Sequence, residues 1–150
     1  MAARADAWSA QLAARRVAVD VRVPAGTTAL ATPGAVEQVL DNLISNALAV
    51  SPHGSVLRIH TTSTIGGIEL HVVDEGSGMT PGQRARAFDR FWRAGPPGSG
   101  TGLGLAVVHR LVTTDGGTVE LRQAVGGGLD ASIRLRRAPS PNLNPPLVRA

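Results

Sequence analysis

The 150-residue chain contains no cysteine, no lysine and no tyrosine, and only two tryptophans and two phenylalanines. Without cysteine there is no disulfide framework and no thiolate metal site. With four large aromatics, the core has to be built from Val, Leu, Ile and Ala. No run is long and apolar enough to span a bilayer, and Met1 to Arg16 has the charge of a helix but not the apolar centre of a signal peptide. The absence of lysine also explains the charge figures. The pI of 11.4 accompanies a net charge of only +4, because almost nothing titrates between histidine and arginine. Fifteen arginines against eleven acids are an arginine-for-lysine bias rather than a nucleic-acid footprint.

What is present is one domain's worth of patterned sequence. Residues 4–16 read as a helix with Leu12 and alanines on one side. Val17, Val19, Val21 and Val23 alternate with polar or small residues, the period of a half-buried strand. Thr27 to Ala31 reads as a short strand. Thr32-Pro33 reads as an N-cap followed by proline at the first helical position. Val36, Val39, Leu40, Leu43, Ile44, Ala47 and Leu48 then recur at helical spacing up to Val50. Residues 56–62 and 68–73 read as strands paired around Gly66-Gly67. Residues 81–92 read as a short helix, 93–102 as a Gly/Pro-rich loop and 103–114 as a helix. Two last strands, 118–124 and 129–135, are joined through Gly126-Gly127-Gly128. Residues 138–150 hold four of the ten prolines and read as a disordered tail. The expected fold class is α+β: a two-layer α/β sandwich with a mixed, mostly antiparallel sheet and helices on one face.

Four short segments carry chemistry. Asn42 and Asn46, at i and i+4, lie one turn apart on one side of their helix. Their amide oxygens suit a hard cation such as Mg²⁺; two surface asparagines are the plainer alternative. Asp74-Glu75-Gly76-Ser77-Gly78 follows a strand, so its first carboxylate can accept from an exocyclic amine while glycines admit a flat ring. An ordinary glycine turn reads the same way. Gly98 to Leu105 opens a helix with glycines, whose backbone N–H groups can face phosphate oxygens. It lacks the lysine of a P-loop. Phe88 to Arg93 lies among Arg84, Arg86, Arg90 and Arg93, natural counter-charges to phosphate, unless they serve helix-surface pairs such as Asp89 with Arg93.

Taken in order, these segments resemble the ATP-binding catalytic domain of sensor histidine kinases, in the superfamily of gyrase, mismatch-repair and chaperone ATPases with the Bergerat fold. Asp41 to Ala47 is similar to the N box, Asp74 to Gly78 to the first glycine box, and Phe88 to Arg93 to the F box. Gly100 to Leu105 is similar to the second glycine box, and Gly126 to Gly128 to the third. The resemblance covers residues 4–137.

It implies ATP and Mg²⁺ as cofactors. Asp74 would bind the adenine amine, Gly76 and Gly78 would permit close approach, and Asn46 would ligate the metal. Asn42 would support the phosphates, and Gly100, Thr101, Gly102, Leu103, Gly104 and Leu105 would line the nucleotide. Residues 93–102 would form a lid, and Arg90 or Arg93 would steady the departing γ-phosphate. Related ATPases carry glutamate where Asn42 stands, so the pattern implies transfer to a side chain rather than hydrolysis. None of His53, His60, His71 and His109 lies in an H-E-x-x-x-P-like motif. The acceptor would therefore be a histidine on a dimerisation hairpin, in the same protein or in trans, with a response regulator downstream.

On this reading residues 1–16 continue from that hairpin, 17–137 form the catalytic domain and 138–150 a tail. The domain would be cytoplasmic and monomeric, with no contact to nucleic acid or membrane. The chain departs from the pattern at Ala49 and Val50, where a basic and an aromatic residue are usual, and at Leu129 and Ala131 in the third glycine box. A serine kinase of the anti-sigma type and a degenerate nucleotide-binding module are the alternative readings.

Overall fold

The computed structural model describes residues 2–95 and 101–139. Its five strands form one sheet in the order β1-β2-β3-β5-β4. These are β1 (Ala18–Arg22), β2 (Val56–Thr64), β3 (Gly67–Val73), β4 (Thr118–Gln123) and β5 (Leu129–Arg136). β1 pairs parallel with β2, and the other three pairings are antiparallel. The parallel pair follows from connectivity: α3 (Ala35–Val50) lies between the two strands, and a crossover of that length returns the chain in the same direction.

The period-two pattern sorts the sheet into a dry face and an open one. Leu57, Ile59, Leu70, Val72, Ala131, Ile133 and Leu135 join one core cluster with Val39, Leu40, Leu43, Ile44, Ala47 and Leu48 of α3. Val108 and Val112 of α5 (Gly104–Thr114) complete it. The alternate positions Arg58, His60, Glu69, His71, Asp130, Ser132 and Arg134 face away from the helices. Burial of a side chain such as Ile44, 1% exposed, stabilises the fold by about 1.5–3 kcal/mol. The sandwich expected from the sequence, with helices on one face, is what forms.

Several local expectations are corrected. The helix read over 4–16 is two pieces, α1 (Ala2–Ala7) and α2 (Ser9–Ala14), divided at Trp8. Thr27 to Ala31 is not a strand; Ala29 makes a single bridge with Arg137. Thr32 does not cap α3. Its hydroxyl donates to Asp115 Oδ1 at 2.6 Å and its N–H to Oδ2 at 2.9 Å, so Gly34, in the left-handed region at φ 80°, becomes the N-cap. The turn of the β2–β3 hairpin is Ile65-Gly66, with Thr64 opposite Gly67, rather than Gly66-Gly67. The helix read over 81–92 stops early: α4 is Pro81–Arg86, started by a reciprocal cap between Thr80 and Gln83. The tail expected over 138–150 lies almost wholly outside the described residues.

Candidate nucleotide site

The end of β3 delivers Asp74 to a buried position, 4% exposed. The carboxylate is fixed through one oxygen. Oδ1 accepts from the Gly76 N–H at 2.8 Å and from the Leu129 N–H at 3.1 Å. Neither bond uses Oδ2, which keeps its acceptor capacity. Burial pushes the Asp74 carboxyl above the usual range, and the N–H groups of Gly76 and Leu129 only partly offset that. A group held this way is an acceptor that needs a partner on its second oxygen.

The surrounding glycines show how tightly the backbone closes on it. Gly128 sits at φ 82°, and a Cβ there would lie 2.1 Å from the Asp74 carbonyl oxygen and 3.1 Å from Oδ1. No side chain fits. Gly76 lies against Val50 at the end of α3, where a Cβ would come 2.7 Å from Val50 Cγ2. Gly78 lies against the Gly128 backbone. Glu75, between them, faces the other way: it accepts from the Val56 N–H at 3.0 Å and from Arg58 at 2.8 Å. These bonds, the Val56 N–H first, hold its carboxyl below the usual range. It anchors the loop to β2 and is not a site residue.

A second cluster forms where α3 meets α5. Gly104 opens α5, and a Cβ there would lie 3.3 Å from Asn42 Oδ1 and 3.5 Å from Asn46 Oδ1. The two asparagines therefore share the side of α3 that faces the first turn of α5. Asn42 Nδ2 donates to the Gln38 carbonyl at 2.9 Å, which turns its oxygen outward from its own helix. Asn46 is exposed. These oxygens are neutral hard donors beside the N-terminus of an eleven-residue helix, a setting that suits an anion and a hard cation together. The donor set fits Mg²⁺.

The other expected residues are placed less centrally. Leu105 is partly buried against the core. The Leu103 N–H donates to Thr101 Oγ1 at 3.4 Å. Gly102 is locked to Phe91, whose N–H donates to the Gly102 carbonyl at 3.0 Å. Gly100, and with it half of the expected lid (96–100), lies outside the described residues. Arg90 and Arg93 line a shallow depression of about 380 Å³ with Arg86, Asp89, Phe91, Trp92 and Gly95. None of Asn42, Asn46 and Asp74 lines it. Asp89 pairs with Arg86 at 3.9 Å.

One contributor to the Asp74 cradle and one anchor of the N-box segment were not legible in the sequence. The Leu129 N–H is a backbone donor and leaves no side-chain signal. Asp41, inside the N-box segment, is bound by the Nε of Arg4 at 2.7 Å and of Trp8 Nε1 at 2.9 Å. The i, i+4 spacing of Arg4 and Trp8 was its only trace.

A buried acid after a strand, closed by glycines, together with a pair of helical asparagines against the first turn of α5, fits an ATP-binding domain. A model of the histidine kinase-, DNA gyrase B-, and HSP90-like ATPases matches residues 31–139, and the chain belongs to that family. Within it, the similarities are to sensor kinases. The chain is 32% identical over 130 residues to the sensor-like histidine kinase SenX3 of Mycolicibacterium smegmatis, covering 84% of this chain and 34% of that protein. It is 34% identical over 126 residues to the sensor protein QseC of Escherichia coli K12, covering 80% of this chain and 27% of that protein. Among solved structures, the mycobacterial sensor histidine kinase MprB superposes with a TM-score of 0.77 at 28% identity, covering 93% of this chain and 96% of that one. The chain thus spans about a third or less of the length of these curated relatives. No helix among the described residues is long and apolar enough to cross a membrane.

Proposed function

We propose that this chain is the catalytic domain of a sensor histidine kinase, moving the γ-phosphoryl group of ATP to a histidine on a separate hairpin. The observation that carries this reading is the half-used carboxylate of Asp74, buried among glycines with one oxygen tied to backbone and the other available. It is the acceptor an adenine amine needs, and Gly76, packed directly against Val50 where no side chain fits, keeps the loop close to the end of α3.

Asn42, Asn46 and the first turn of α5 take the phosphates. Mg²⁺, held by the Asn46 oxygen, supplies charge neutralisation when bound. Arg90 and Arg93 bring positive charge from the F-box side. Phosphoryl transfer needs alignment and charge stabilisation more than covalent chemistry from the protein. No carboxylate stands at position 42 to deprotonate a water, so a supplied side chain is the better acceptor. A response regulator would act downstream of the phosphorylated hairpin.

Calorimetry with a non-hydrolysable ATP analogue and Mg²⁺ tests the first half: saturable binding is expected, and its absence would sink the reading. Incubation with labelled ATP and a histidine hairpin tests the second. An acid-labile label supports histidine transfer; an acid-stable label on serine would point to the serine-kinase alternative.

A further inference from the structure

The break in the N-terminal helix has no local cause. Residues 2–14 contain neither glycine nor proline and are rich in alanine, the strongest helix former. No side chain caps the second piece: Trp8 stands at the N-cap of α2 without a capping bond. Helix breaks have identifiable origins, and this one coincides with a tertiary contact. Arg4, in α1, and Trp8, at the break itself, converge on one carboxylate of α3. Arg4 engages both oxygens of Asp41 and forms an ion pair with it, while Trp8 Nε1 donates to Oδ1 at 2.9 Å. Trp8 also packs against the core cluster, and Leu12 of α2 is buried in it, 5% exposed. α2 is thus pinned by Leu12, whereas α1 is held through Arg4 and Trp8.

We infer that Asp41 is a latch and Trp8 a hinge: with the latch closed α1 bends onto α3, and with it open α1 and α2 join into one straight helix. The sequence already favours the straight form, and the three-residue contact opposes it. The contact is partly exposed to solvent, so it is weak and reversible. Any chain preceding Ala2 changes direction with the hinge. Asp41 directly precedes Asn42, so the latch also sits on the helix that carries the asparagine pair.

Because the chain has no native cysteine, two introduced cysteines can carry spin labels cleanly. Exposed Ala3 on α1 and exposed Thr62 on β2 give a distance across the hinge. α1 is six residues, about 9 Å long, so its swing shifts the mean distance by roughly 5–10 Å. The unaltered chain is expected to show the bent distance. Asp41→Ala is expected to move or broaden the distribution toward the longer one, with a gain in far-UV helical signal. Arg4→Ala should do the same, and it leaves α3 untouched. Trp8→Phe, which keeps the packing and loses the Nε1 bond, should give an intermediate population. An unchanged distance in both Asp41→Ala and Arg4→Ala overturns the inference, as does a straight helix in the unaltered chain. Urea unfolding of each variant separates hinge opening from loss of the fold.

Discussion

The two ends of the candidate site are built differently. At the base end, the carboxylate of Asp74 is held by the backbone of two separate segments, Gly76 and Leu129, and Gly128 leaves no space for a side chain. At the proposed phosphate end, Asn42 and Asn46 project from one helix toward another, and Asn42 is tied to its own helix at the Gln38 carbonyl. One end is over-determined by the fold. The other is assembled from side chains that stay adjustable until a ligand arrives. On the proposed reading, specificity for the base is fixed with the fold, whereas phosphate and metal contacts rest on residues that can change without disturbing it.

This contrast predicts a graded response. The largest effect is expected from Gly128→Ala, which drives a methyl group into the Asp74 carbonyl at a backbone angle unfavourable to any side chain. It should lower stability by about 2–4 kcal/mol in urea unfolding, from clash plus strain. Gly126→Ala, at φ 89° with nothing within 4 Å, should cost only about 1 kcal/mol from backbone strain. Equal losses at the two positions would break the comparison.

Asp74→Asn comes next. The amide oxygen can keep both backbone bonds, and a buried charge is removed, so stability should hold. An N–H₂ group would replace the free acceptor. Affinity for a nucleotide analogue should fall by roughly 10–100-fold, about 1.4–2.8 kcal/mol, read by calorimetry. Lost stability with unaltered affinity would instead make Asp74 a structural residue.

Asn46→Ala should leave the unfolding midpoint within about 0.5 kcal/mol of the parent, as for an exposed position. The Mg²⁺ dependence of analogue binding should be reduced several-fold. An Asn46→Ala domain that keeps the full Mg²⁺ effect would remove this residue from the metal site.

The smallest effect lies on the open face of the sheet. His60 and His71 are cross-strand partners whose rings stack at 4.6 Å, 2° from parallel, and His71 Nδ1 lies 3.0 Å from Asp130. Burial, then the charge of His71, lowers the His60 pKa from its ordinary value of 6.5. The unfolded chain accordingly binds the proton more readily than the fold does. This contribution is absent above about pH 7 and destabilises the fold as pH falls below about 6.5, down through the lowered folded value. His60→Gln should flatten that slope in unfolding measured between about pH 5 and 7.5.

Legibility followed range. Strand alternation and the apolar stripe of α3 are local, and they placed the sheet and the dry face. The site segments were legible because asparagine pairs, an acid after a strand and glycines before a helix each have local chemistry. What escaped the sequence depended on distant partners. Asp115 withdraws Thr32 from its helix cap, and the Asp41 contacts coincide with a break in an alanine-rich helix at Trp8. The Leu129 N–H completes the acid from the far end of the chain. Glu75 looked like part of the box, yet its bonds run to β2.

The strand order has a temporal side. β5 is the last strand among the described residues, yet it lies between β3 and β4 and supplies the Leu129 N–H to Asp74. A chain emerging from the ribosome can complete the β2–β3 hairpin early. It cannot finish the acid's cradle until residue 129 and the strand behind it have been made and inserted. On the proposed reading, competence to grip a base therefore arrives only with β5, and a polypeptide interrupted before it would carry every recognisable segment without a working site.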